Sequence, residues 1–145
     1  MLLDFDSTDD PTHGDQEGSY YHGYYGQHMY HPLLVFDGET GQLVTVVLRA
    51  GNTHASRGVV AVLKRIVDRL RQAWGTGVEI EIRADVGFAV PAVYDYCEKE
   101  GIDYAAVGLI TTPRLEALAA PLLENAQEHY ETKGSKVRLL AEGSY

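Results

Sequence analysis

The stretch RGVVAVLKRIVDRLRQAWGTGVEIEIRADVGF, residues 57–88, constrains the fold most, because its hydrophobic period changes partway along. Val59, Val62, Leu63, Ile66, Val67, Leu70 and Trp74 recur at spacings of three and four, while Lys64, Arg65, Asp68, Arg69 and Arg71 take the other face. That pattern predicts an amphipathic helix, stopped by Gly75-Thr76-Gly77. Val78, Ile80 and Ile82 then alternate with Glu79, Glu81 and Arg83, the signature of a strand buried on one face. A helix feeding directly into such a strand points to an α/β fold.

The flanking segments extend this reading. Leu2 to Thr8 reads as a strand, and Pro11 to Pro32 as a turn-rich loop dense in Gly, Tyr and His. Leu33–Phe36, a turn over DGETG, and Leu43–Arg49 read as a hairpin. VPAVYDYCEKEG predicts a short helix with Gly101 at its C-cap, and IDYAAVGLI a small buried strand. Thr112-Pro113 supplies an N-cap and a first-turn proline for a helix from Arg114 to about Lys133, in which Pro121 should form a kink or a split. KVRLLAE offers a last strand. The order is β-β-β-α-β-α-β-α, with one further β possible. It describes a mixed sheet whose first three strands are antiparallel, with helices on both faces.

Composition bounds the function less tightly. The 145 residues fit one domain with a sizeable core, and 45% hydrophobic content argues against disorder. Cys97 is the only cysteine, so no intramolecular disulfide forms and a reducing, cytoplasmic setting is expected. No apolar run approaches the ~20 residues of a membrane span. A net charge of −9 argues, taken alone, against nucleic acid. Yet residues 58–83 concentrate Lys64, Arg65, Arg69, Arg71 and Arg83, so a basic surface can sit inside an acidic total.

The first strand poses the chemical question. LLDFDSTDD carries Asp4 and Asp6 within an apolar run and continues into Asp9 and Asp10. If the first and fourth strands are neighbours, Asp6 and Asp85 meet at their ends. Two carboxylates so close raise one another's pKa unless a cation neutralises them. Mg²⁺ and Mn²⁺ favour such oxygen ligands, and paired ions can activate an attacking oxygen and stabilise a leaving one. The bland alternative is a solvated strand end at Asp6 and a turn former at Asp85.

LDFDSTDDPTHGDQEGSYYHGYYGQHMYHPLLVF, RADVGF and YDYCEKEGIDYAAVGL together resemble the DDE-type transposases of bacterial insertion sequences, over essentially the whole chain and in the same order. The resemblance implies an RNase H-like catalytic core that cuts double-stranded DNA at transposon ends and joins the freed 3′-hydroxyl to target DNA. It implies a carboxylate triad binding Mg²⁺ or Mn²⁺, with the first acid on Asp6 and the second on Asp85. Asp9 and Asp10 are weaker candidates, since they lie past the strand. The family's third acid, a glutamate in a Tyr-x-x-Arg-x-x-x-Glu pattern, has no counterpart here. The expectation is therefore a core fragment, inactive by itself, from a protein that can act as a homodimer. Glu116, Glu124, Glu128 and Glu131 read as the solvated face of the last helix.

Three further groups stand out. His13, in the PTHG turn, is a candidate for substrate contact, as are Arg83, Lys64 and Arg65 for the DNA backbone. The loop HGDQEGSYYHGYYGQHMYHP has three readings: aromatics stacking on unpaired bases, a transition-metal site from His13, His22, His28 and His31, or an arm whose tyrosines pack on the sheet. A non-catalytic DNA-binding remnant of the same fold is the alternative function.

Overall fold

Alternation in the first seven residues sets the middle of the sheet. In a computed structural model, which describes residues 1–107 and 113–142, Leu3 and Phe5 of β1 (Leu2–Ser7) are buried while Asp6 is exposed. Three short strands follow, β2 (Asp10–Pro11), β3 (Tyr20–His22) and β4 (Gln27–Tyr30), then β5 (Leu33–Asp37) and β6 (Leu43–Val47). Helix α1 (Val59–Trp74), β7 (Glu81–Asp85), α2 (Pro91–Glu100), β8 (Asp103–Val107) and α3 (Pro113–Lys133) complete the order. The chain divides into two units, Met1–Leu109 and Ile110–Tyr145.

In the first unit a five-stranded sheet runs β6-β5-β1-β7-β8. β1 pairs antiparallel with β5 and parallel with β7, so the first strand does lie beside the fourth strand of the sequence reading. Leu3, Phe5, Leu33, Val35 and Ile82 meet Val59, Leu63, Ile66 and Val67 of α1 and Val93 and Cys97 of α2 in one core. Both helices of this unit therefore cover the same face, rather than one on each. The opposite face carries Asp4, Asp6, Arg83 and Asp85, which no apolar helix stripe could cover without costly desolvation.

Pro11 to Pro32, expected to be a loop, contains a second small sheet in the order β2-β4-β3. Its ladders join Asp10 to Tyr30 and Tyr21 to His28, and Met29 beneath them is fully buried. Trp74, placed by period on the apolar face, is 63% exposed at the end of α1. Gly101 closes α2, its N–H bonding to the Cys97 and Glu98 carbonyls.

In the second unit α3 continues through Pro121 without splitting. Pro121 and Ala117 are exposed, so the carbonyl left without its helical donor can take water. The proposed Thr112 cap and the Gly108–Ile110 end of the seventh expected element lie outside the described residues. Lys136 to Glu142 forms no strand. Val137 and Leu139 instead border a cavity with Ala119, Leu122, Leu123 and Ala126 of α3, which gives the segment's apolar residues a partner other than a sheet edge.

Cys97 is fully buried, and burial pushes its thiol up to about 11. Its thiolate, the reactive species, is therefore scarce at neutral pH. Modification by a thiol reagent should be at least tenfold slower than for the unfolded chain, and should accelerate in step with denaturant unfolding. Equal rates in native and unfolded protein would refute the assigned burial.

Candidate active site at the ends of β1 and β7

Phe5 stands opposite Ala84 in the parallel β1–β7 ladder, so Asp6 and Asp85 occupy the next rung. Neighbouring strands lie about 4.8 Å apart, which brings the two carboxylates onto one edge of the sheet. Each has one oxygen held by backbone. The Ser7 N–H donates to Asp6 Oδ1 at 2.7 Å, and the Gly87 N–H donates to Asp85 Oδ1 at 2.8 Å, capping the 3-10 turn Val86–Phe88. Among the described residues their Oδ2 atoms have no hydrogen-bond partner, and they are available as hard oxygen ligands. Among the described residues no group of three or more His, Cys, Asp or Glu is arranged to hold a metal ion.

Asp4, one pleat repeat back, is engaged elsewhere. Arg83 Nε and Nη2 donate to its two carboxylate oxygens at 2.8 and 2.5 Å. This bidentate pair accounts for a charge inside the strand, and it lifts the Arg83 guanidinium through that hydrogen bond. Arg83, a candidate for the DNA backbone, is paired with Asp4. Asp9 accepts a 2.8 Å bond from Gln27 Nε2, while Asp10 begins β2.

The loop 50–58 walls the other side. A Cβ on Gly87 would lie 2.9 Å from the Ala55 Cβ and 3.0 Å from Asp85 Oδ1, so this loop packs beside the second acid. Arg49 fastens the loop: Nε donates to the His31 carbonyl at 2.8 Å, and Nη1 to those of Ala55 and Arg57 at 2.7 and 3.1 Å. His31, 4% exposed, donates from Nδ1 to the Thr53 carbonyl at 2.7 Å. A carbonyl can only accept, so the proton sits on Nδ1.

The turn between β3 and β4 curls back to the same place. The Tyr25 ring lies 5.1 Å from His22 and 6.1 Å from His31, and His22 lies 5.0 Å from His31. Burial first, then the negative charges of Asp9 and, more weakly, Asp6 and Asp85, hold the Tyr25 phenol above its ordinary value. Tyr25 thus lies within electrostatic reach of the acids, a placement that sequence reading did not assign. The only sequence signal was its place in a Gly-flanked Tyr-Tyr pair.

The remaining candidates are dispersed. His13 is exposed in the turn after β2, and no side-chain contact joins it to either acid. Lys64 pairs with Asp68 at 3.0 Å, whereas Arg65 is exposed and has no carboxylate partner among the described residues. Both sit on α1, across the sheet from the acids.

These features define a mixed α/β domain with an acidic pair on adjoining parallel strands. The chain belongs to the family described as transposase DDE domain group 1, which it matches over residues 1–145. Among solved structures it resembles a piggyBac transposase synaptic complex with hairpin DNA, at 17% identity and a TM-score of 0.50, over 77% of this chain and 23% of that one. It also matches a simian T-cell lymphotropic virus intasome in complex with PP2A regulatory subunit B56 gamma, at 14% identity and a TM-score of 0.47, over 92% and 42%. The chain thus spans less than half the length of either. No curated protein matches it. Among the described residues no helix is long and apolar enough to cross a membrane.

Proposed function

We propose that this chain supplies two of the three acids of a DNA transposition site, Asp6 and Asp85, which bind Mg²⁺ or Mn²⁺. The reaction is cleavage of phosphodiester bonds at the ends of a mobile element, followed by transfer of the 3′-hydroxyl to target DNA, in the cytoplasm. The observation that carries this reading is the shared rung: two carboxylates side by side, each with one oxygen tied to a backbone amide and one free.

The donor set suits a hard divalent ion, which binds through one or two carboxylates and keeps several waters. When bound, such an ion supplies Lewis-acid activation of the attacking oxygen and charge neutralisation at the leaving one. The protein's part is positional. The Ser7 and Gly87 amides fix the carboxylate rotamers, and Ala55 of the Arg49-bound loop packs beside Gly87. The third acid comes from outside these residues, so the chain alone should bind an ion weakly and cleave no DNA. A homodimer belongs to the longer protein.

A second reading, a non-catalytic DNA-binding remnant, draws on the absence of a three-ligand group among the described residues. Mn²⁺ broadening of backbone amide signals separates the two. Asp85→Asn keeps an acceptor for the Gly87 amide while removing the charge. In the wild type, broadening should centre on Asp6 and Asp85; in the variant, it should weaken at least tenfold at equal Mn²⁺. Broadening centred on His22, His28 and His31, or none at millimolar ion, would overturn the two-acid site.

A further inference from the structure

The fixed cations of the first unit sort into two sets. Lys64 pairs with Asp68, Arg71 with Glu100 and Arg83 with Asp4, and Arg49 is committed to loop carbonyls. Arg57, Arg65, Arg69 and Lys99 have no carboxylate partner among the described residues. The three arginines lie along one feature, the seam between α1 and the edge strand β6.

That seam is a continuous groove. A cavity of about 390 Å³ is bordered by Arg57, Asn52 and Arg49, and a second of about 300 Å³ by Arg65, Arg69 and Thr45; Val47 and Val62 line both. Its upper end is electropositive for a further reason. Helix α1 begins at Gly58 with no side-chain cap and no acid in its first turn; the Val59 N–H donates to the Ser56 carbonyl at 3.3 Å, while the Val60 and Ala61 amides have no acceptor among the described residues. Arg49 Nη2 is buried nearby with no partner. Three unpaired guanidinium groups gathered on one groove of a chain with net charge −9 are placed against the prevailing charge.

The groove also has a direction. Val47 at the end of β6 pairs with Leu33, which pairs with Ser7, so Arg57 lies toward the acid end of the sheet. Arg65 and Arg69 follow down the helix, spanning on the order of 18 Å from Arg57 at 1.5 Å per residue. At 3.4 Å per phosphate along one strand, that length matches about five phosphates.

Resting on the transposition reading above, we propose that Arg57, Arg65 and Arg69 form a phosphate track. It holds the backbone of double-stranded DNA that passes the acid end of the sheet beside Arg57 and continues along the α1–β6 groove on the helix-covered face. Guanidinium groups and free helix amides are the donors that phosphate oxygens accept, and such contacts bind without reading sequence. Lys64, expected to share this role, is drawn aside by Asp68.

The test is the salt dependence of binding to a short fluorescein-labelled duplex of random sequence, measured with EDTA so that no metal contributes. Each phosphate contact adds about 0.9 to the slope of log K against log salt. The triple variant Arg57→Gln, Arg65→Gln, Arg69→Gln should flatten the slope by about two to three and weaken binding uniformly across sequences. A control triple, Lys99→Gln, Lys133→Gln, Lys136→Gln, removes the same charge and should leave the slope within about one of the wild type. Equal flattening by both triples would overturn the track while leaving the two-acid site intact, since that site is judged separately by Mn²⁺ broadening. A wild type with no salt-dependent DNA binding would overturn the track and the DNA reading together. Capture of an acidic peptide by the groove, with DNA binding unchanged in the arginine triple, would assign the groove to a protein partner and overturn the proposal.

Discussion

Gly51→Ala should lower the melting temperature of the protein by about 10 °C or more, the largest loss expected from any single methyl group added to this chain. A Cβ at Gly51 would fall 1.9 Å from the Met29 carbonyl oxygen and 2.7 Å from that of Tyr20. Both obstacles are backbone, so no side-chain rotation relieves them. Gly51 also donates its N–H to the Gly18 carbonyl at 3.1 Å, and Ala50 bridges Tyr30 beside it. Loop 50–58 and the β2-β4-β3 arm are therefore clasped backbone to backbone at this point. Forcing them apart costs the Gly51 bond and the packing of Met29, roughly 3 kcal/mol in all. Thermal unfolding followed by circular dichroism measures the change, and a variant melting within about 3 °C of the wild type would refute the clasp. Because the loop packs through Ala55 beside Gly87, whose amide holds Asp85, Mn²⁺ broadening at Asp85 should diminish in the same variant.

The parts of this fold that were legible are those where one residue pattern has one physical solution. The change of period across Gly75–Gly77 marks α1 and then β7, because only a helix and a half-buried strand bury those residues on one side. The acid at each strand end followed from the same alternation. Asp6 and Asp85 face away from Phe5 and Ile82, and their shared rung rests on a parallel pairing that element order made available.

The illegible parts depend on contacts distant in sequence. Nothing local in Asp4 announces Arg83, which lies 79 positions away. The three arm strands average only a few residues each, and their Tyr, His and Gly content hides any alternation. Arg49 looks like the last residue of a strand, yet its guanidinium is spent on the His31 carbonyl and on carbonyls of loop 50–58. The shared face of α1 and α2 is a matter of crossover geometry, which residue pattern does not encode. Family resemblance pointed to Asp6 and Asp85 but carried no information on their surroundings, such as the Tyr25 phenol that feels their charge.

Replacing His31 should both destabilise the protein and remove part of its sensitivity to acid. The imidazole is buried between the arm and loop 50–58, with its Nδ1–H on the Thr53 carbonyl. Burial, the largest influence, lowers its pKa despite the opposing pull of the Thr53 bond; Arg49, His22 and His54 lower it further. The folded state therefore binds the proton less readily than the unfolded chain, whose histidine titrates near 6.5. Stability from a neutral His31 is fully present above about pH 6.5 and is lost as pH falls below it toward the depressed folded value. His31→Ala should cost roughly 2–3 kcal/mol at pH 7.5, from the cavity and the abandoned Thr53 carbonyl. His31→Gln keeps a donor but cannot titrate. Urea unfolding at pH 7.5, 6.5 and 5.5 should show the wild type losing stability faster than this variant as pH falls, above the range where carboxylates such as Asp37 contribute. Asp37 belongs to that lower range because the Glu39 amide and the Thr40 hydroxyl hold its carboxyl below the usual value. Parallel curves for wild type and His31→Gln would show that the His31 imidazole is as easily protonated in the fold as out of it. Its burial against Arg49 would then be wrong, and with it the account of how the arm and the Asp85 loop are held together.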